Sequence, residues 1–102
     1  MDMSELMNQA RRFQERLGKM QEELAAKSVT ASAGGGMVTV TVNGRGELID
    51  LVIEKEIINP DDPEMLRDLV MGAVNEGLRK AREMSKGELA GLTGGLKIPG
   101  LM

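Results

Sequence analysis

Three groups of residues in this chain are of types that could do chemistry. They are the glycines Gly34, Gly35 and Gly36, the acids Asp50, Glu54, Asp61 and Asp62, and the Arg and Lys residues that flank them. A glycine loop cradles a phosphate when it follows a strand and opens a helix, because backbone N–H groups and the positive helix end then converge on the anion. Here the glycines instead run into Met37-Val38-Thr39-Val40-Thr41-Val42, whose alternation puts Val38, Val40 and Val42 on one face of a half-buried strand. Asn43-Gly44-Arg45-Gly46 then reads as a hairpin turn, since Asn and Gly tolerate the positive φ of tight turns. The chain resumes with Ile49, Leu51 and Ile53 on one face of the next strand. These glycines are therefore expected to turn the chain rather than hold an anion. The acids have no spacing that suggests a metal site or an acid/base pair, and solvation and helix capping account for them.

The chain has no Cys and no His, which excludes disulfides, thiolate or imidazole zinc sites, Cys nucleophiles and Ser-His arrangements. No enzyme activity, cofactor, metal or small-molecule substrate is expected. Phe13 is the one aromatic residue, so the platform on which single-stranded bases stack is missing. No apolar run approaches the roughly 20 residues that span a bilayer, and MDMSELMNQARR lacks the basic-then-apolar order of a secretory signal. A soluble cytoplasmic protein with no membrane partner is the expectation.

The elements that must position the basic residues follow from periodicity. Met3, Leu6, Ala10, Phe13, Leu17, Met20 and Leu24 form an apolar seam at alternating spacings of three and four, which predicts an amphipathic helix over residues 3–27. Asp2 and Glu5 make an N-terminal capping box, and the helix would be roughly 37 Å long. The seam either packs on the protomer's own sheet or pairs with another helix. Strands are expected over 29–33, 37–43 and 47–55. Asp62 as N-cap with Pro63 at the first helical position predicts a second helix over 62–87, whose apolar stripe includes Leu69, Val70 and Ala73. Gly72 and Gly77 inside that helix each cost about 1 kcal/mol relative to Ala, which points to close backbone approach.

The fold class is thus α+β: helix, three-stranded antiparallel sheet, helix, in one domain over residues 1–90. Residues 91–102 are expected to form a flexible tail with a few apolar residues that could dock. A single small sheet with two helices leaves strand edges and one sheet face in need of cover, and a homodimer supplies it. Packing in the core or at the dimer contact is assigned to Leu6, Phe13, Leu17, Met20, Val38, Val40, Val42, Ile49, Leu51, Leu69, Val70 and Ala73.

The net charge of -3 at pH 7 argues against a nucleic-acid partner, because affinity for DNA comes largely from Lys and Arg at phosphates. Its distribution reverses that inference. Between residues 11 and 20, Arg11, Arg12, Arg16 and Lys19 stand against Glu15, a local +3. Between residues 47 and 68, eight acids stand against Lys55 and Arg67, a local -6. On the second helix, Arg79, Lys80, Arg82 and Lys86 outnumber Glu76, Glu83 and Glu88 by one. Glu15 with Lys19, Glu76 with Lys80 and Arg79 with Glu83 are spaced as helix ion pairs. Arg12, Arg16 and Lys19 share a face, as do Arg79, Arg82 and Lys86, so each helix carries a basic ridge suited to an anionic partner.

Leu6-Met7-Asn8-Gln9-Ala10, then Lys19-Met20-Gln21-Glu22-Glu23-Leu24, then residues 37–44, then Leu66-Arg67-Asp68-Leu69-Val70 with Ala73 and Asn75, closely resemble the YbaB/EbfC family of bacterial nucleoid-associated DNA-binding proteins over nearly the whole chain. The resemblance implies a tweezers-shaped homodimer whose protruding helices grip duplex DNA with little sequence preference, bridging or compacting it or modulating transcription at the nucleoid. By the resemblance, Arg16 and Lys19 match basic sites of the family's first helix, and Arg79 and Lys80 a basic pair of its second. Arg12 and Arg82 come from the ridge pattern alone. Gly72 and Gly77 depart from the small, more helix-favouring residues usual in the family. The alternative is a helical protein-interaction or co-chaperone-like module that uses the apolar seam and adaptable methionines.

Overall fold

Asp2 starts the first helix, its Oδ1 accepting the Ser4 N–H at 2.6 Å, and α1 runs over Met3–Ala26. In a computed structural model, which describes residues 2–93, the order continues β1 (Ser28–Ala33), β2 (Val38–Asn43), β3 (Leu48–Ile53), a 3-10 turn (Lys55–Ile57) and α2 (Pro63–Thr93). The helix–sheet–helix order expected from periodicity is the order observed. The three strands form one antiparallel sheet in the order β1-β2-β3. Gly34, Gly35 and Gly36, all at positive φ, make the turn between β1 and β2, so they reverse the chain and open no helix.

Val38, Val40 and Val42 are fully buried, as their alternation requires, and with Ala31, Ile57, Ala73 and Ala81 they form the core. Leu69 and Val70 pack against that core half-buried. Gly77 allows this closeness: a Cβ there would stand 2.8 Å from Val42 Cγ2 and 2.9 Å from Val40 Cγ2. Gly72 has only an ordinary 3.8 Å contact with Ala33 Cβ, so close approach explains one of the two helical glycines.

Three differences from the sequence expectation have physical reasons. The regular alternation of β3 is interrupted: Asp50 pairs with Thr41 but Leu48 with Val42, leaving Ile49 as the extra residue of a bulge. The strand also stops at Ile53, because Glu54 N–H closes on Met37 O at 2.9 Å and the 3-10 turn then brings Ile57 into the core. And α2 continues to Thr93, where an end at 87 was expected. Gly87 does not adopt positive φ, and Glu88, Leu89 and Ala90 favour helix, so one glycine is too small a cost to end it. Asp62 caps α2 as expected, its Oδ1 accepting the Met65 N–H at 3.2 Å. The expected tail begins inside this helix, and residues 94–102 lie outside the described residues.

The packing assignments divide in the same way. Helix α2 lies over β1 and β2. On β3, Ile49 and Leu51 stay exposed rather than joining the core. On α1, Met20 and Leu24 are buried and Leu17 is half-buried, while Leu6 and Phe13 are exposed. The seam therefore packs on the chain's own body only at its C-terminal end.

Candidate nucleic-acid interface

The base of α1 is held by the β2–β3 turn. Gly44 N–H donates to the carbonyls of Leu24 at 2.9 Å and Lys27 at 3.1 Å, adding to the Lys27 N–H that the Leu24 carbonyl already accepts at 3.2 Å and tying the helix end to the turn. A Cβ on Gly44 would lie 2.7 Å from that Leu24 oxygen, so this position needs Gly for proximity. Neither Asn43 nor Gly44 adopts the positive φ anticipated for the turn; only Gly46 does. The buried Asn43 shapes the turn instead, its Oδ1 accepting from Arg45 N–H and Glu47 N–H at 3.0 Å each, and its Nδ2 donating to Glu47 Oε1 at 2.9 Å.

Lys27 Nζ pairs with Glu88, and Gly87, Glu88 and Gly91 of α2 line a cleft of about 340 Å³ with Arg16, Lys19, Met20 and Glu23 of α1. Advancing along α2 thus means retreating along α1, so the end of α2 and the beginning of α1 point the same way, off the sheet. Residues 3–16 of α1 are all exposed, and the chain measures 69 Å along its longest axis against 25 and 16 Å across. From Arg16 to Met3, α1 projects about 20 Å as a bare arm.

Arg12 and Arg16 are exposed on this arm and Lys19 at its base beside the cleft, and among the described residues none of the three has an ion-pair partner. Arg79 and Lys80 are engaged differently. Arg79 forms a forked pair with Glu76, Nη2 to Oε1 at 2.6 Å and Nε to both oxygens at 3.1 and 3.2 Å. Hydrogen bonds from Arg79 hold the Glu76 carboxyl below its ordinary value, and the same bonds push the Arg79 guanidinium up. Lys80 Nζ donates to Thr30 O at 2.9 Å, on the edge strand β1. Arg82 is exposed on α2 without an ion pair among the described residues.

Of the expected helix pairs, Glu15–Lys19, Glu76–Lys80 and Arg79–Glu83 do not form among the described residues. Arg79 takes Glu76 three residues away, and Lys80 takes a main-chain carbonyl. The Lys27–Glu88 pair, 61 residues apart, had no sequence signal. No group of three or more His, Cys, Asp or Glu among the described residues could hold a metal ion, and no helix there is long and apolar enough to cross a membrane.

Comparison with known proteins agrees over the full length of this architecture. The chain is 52% identical to a nucleoid-associated protein of Desulfotalea psychrophila over 99% of this chain and 95% of that one. It is 48% identical to a nucleoid-associated protein of Clostridium acetobutylicum, covering 98% and 89% of the two chains. The crystal structure of an uncharacterized protein from Helicobacter pylori superposes with a TM-score of 0.81 at 30% identity, over 90% of this chain and 97% of that one. The family model described as the YbaB/EbfC DNA-binding family matches residues 1–96, and the chain belongs to that family.

Proposed function

We propose that this protein is a nucleoid-associated protein of the bacterial cytoplasm. In this proposal a homodimer holds duplex DNA between its projecting α1 arms and binds the phosphate backbone with little base readout. The observation that carries it is the bare arm with Arg12 and Arg16, and Lys19 at its base, exposed and without ion pairs among the described residues. Arg82 stands ready in the same way on α2, whereas Arg79 and Lys80 would have to leave Glu76 and Thr30 before gripping a phosphate. Exposed Lys and Arg neutralise phosphates whatever the base sequence, and with Phe13 the one aromatic residue there is no platform for stacking unpaired bases, so coating or bridging a duplex suits this surface.

The homodimer is proposed through β3. This edge strand presents Leu48, Ile49, Leu51 and Val52 to solvent, with Ile58 following, and a second copy would cover both the apolar side chains and the free backbone edge. It would also put two arms on one particle, as bridging requires.

The test is fluorescence anisotropy of a labelled duplex of about 30 base pairs at roughly 50 and 200 mM salt. Three cations per arm in a dimer neutralise about six phosphates, so affinity should fall by on the order of 10³ across that range. Absence of binding at the lower salt, by protein shown to be folded and dimeric, would refute the proposal.

A further inference from the structure

Asn43-Gly44, the one Asn-Gly pair in the chain, forms the turn that anchors α1. In such a pair the glycine nitrogen can attack the Asn side-chain carbonyl carbon, because no Cβ on the following residue shields it. The turn surrounds the pair with groups that this attack uses. Asn43 Oδ1 accepts the N–H groups of Arg45 and Glu47 at 3.0 Å each, donors that would hold the negative charge developing on that oxygen. Asn43 Nδ2, the leaving nitrogen, donates to the Glu47 carboxylate at 2.9 Å.

Only the nucleophile is withheld. The proton that Gly44 N must give up is donated to Leu24 O at 2.9 Å and Lys27 O at 3.1 Å, both at the end of α1. Asn43 is 5% exposed, Gly44 is buried, and Asn43 O accepts the Gly46 N–H at 3.0 Å. While α1 is docked, hydroxide is kept from the Gly44 amide, and rotating the Asn43–Gly44 peptide towards the side chain would break these bonds in a buried place.

We propose that Asn43-Gly44 is a latent modification site that converts when α1 leaves the turn. Gly44 N then loses its proton to hydroxide, the N–Cγ bond forms, the Cγ–Nδ2 bond breaks, and Nδ2 leaves as ammonia with a proton taken from water. A second water opens the resulting succinimide at either carbonyl, leaving an aspartyl or isoaspartyl residue. Either product replaces the amide that donates to Glu47 by a carboxylate that repels it. The isoaspartyl form also adds a carbon to the main chain, which carries Gly44 N away from the Leu24 and Lys27 carbonyls. A transient opening of the arm thereby becomes permanent.

The test follows conversion at Asn43 by peptide mapping at mildly alkaline pH, in the folded protein, in the same chain unfolded in urea, and in folded variants. The unfolded chain should convert at least about tenfold faster than the folded one, since local opening limits the folded rate. Leu24→Ala, which cuts a buried contact at the joint, should raise the folded rate by at least about tenfold. Leu24→Val, a milder cut at the same contact, takes its place if circular dichroism shows Leu24→Ala unfolded. Leu69→Ala, which weakens the packing of α2 on the sheet away from this joint, should leave the rate near that of the wild type. Hydrogen exchange of the converted chains should show α1 less protected and α2 unchanged. A folded protein that converts as fast as the unfolded chain would overturn the proposal. So would equal acceleration by the substitutions at Leu24 and Leu69, which would make global unfolding the gate, or α1 protection that conversion leaves unchanged.

Discussion

Leu51 pairs directly with Val40 across the sheet, yet Val40 is wholly buried and Leu51 is 39% exposed. Opposed residues in adjacent strands share a face, so the difference comes from the layer above: α2 covers β1 and β2 and stops short of β3. Leu51 is thus an apolar residue on the inner face of the sheet, left open at its edge, where the proposed second copy would cover it.

Replacing Leu51 by Asp should therefore act on assembly before it acts on folding. Light scattering after size exclusion is expected to change from dimer to monomer mass while circular dichroism keeps the helix content. A dimer that survives Leu51→Asp would move the interface away from β3.

Reversing Arg12, Arg16 and Lys19 to Glu together should abolish duplex binding at about 50 mM salt. Thermal stability should stay nearly unchanged, since none of the three supports an ion pair among the described residues. Single Ala substitutions should each lower the slope of log affinity against log salt by about 1 for every phosphate that the removed cation had neutralised. Substituting Lys80 should instead lower stability slightly, because its ammonium holds the Thr30 carbonyl.

Two glycines on one helix should respond to Ala with opposite signs. Gly77→Ala drives a methyl against Val40 and Val42, an overpacking worth about 1–3 kcal/mol that exceeds the gain of about 1 kcal/mol in helix propensity. Gly87→Ala meets nothing within 4 Å and should keep that gain as added stability. Urea titration of both variants checks the pair of signs.

Anchoring of the arm should fail at Gly44. Gly44→Ala places a carbon 2.7 Å from the Leu24 oxygen and must displace the turn or the helix end. Leu24→Ala, which removes a buried side chain at the same joint, should cost about 2–5 kcal/mol. Hydrogen exchange should show α1 opening in both variants while α2 stays protected.

The Glu76 carboxyl should titrate below its ordinary value, and Arg79→Ala should return it towards that value. Its folded pKa lies below its unfolded one. The pair's stabilisation is therefore present above the unfolded value and is lost as pH falls through the folded value. Carbon-detected NMR titration reads this directly. Because both side chains are largely exposed, the accompanying change in stability is expected to be small.

What the sequence determined by itself is local. Period-two alternation placed Val38, Val40 and Val42 inside. The three-four spacing from Met3 to Leu24 defined α1, Asp2 and Asp62 marked where helices begin, and the charge pattern separated basic helices from an acidic middle. These features rest on interactions among residues within a few positions of one another, which spacing encodes directly. The tertiary structure decided everything that depends on which element covers which. It exposed Ile49 and Leu51 despite their strand pattern, buried only the last turns of the α1 seam, and used Gly44 and Gly77 for proximity. It also joined Lys27 to Glu88 and turned Lys80 from an expected helix pair to a strand carbonyl. Those outcomes depend on the reach and direction of α2 relative to α1 and the sheet, a distance in space that spacing along the chain does not carry.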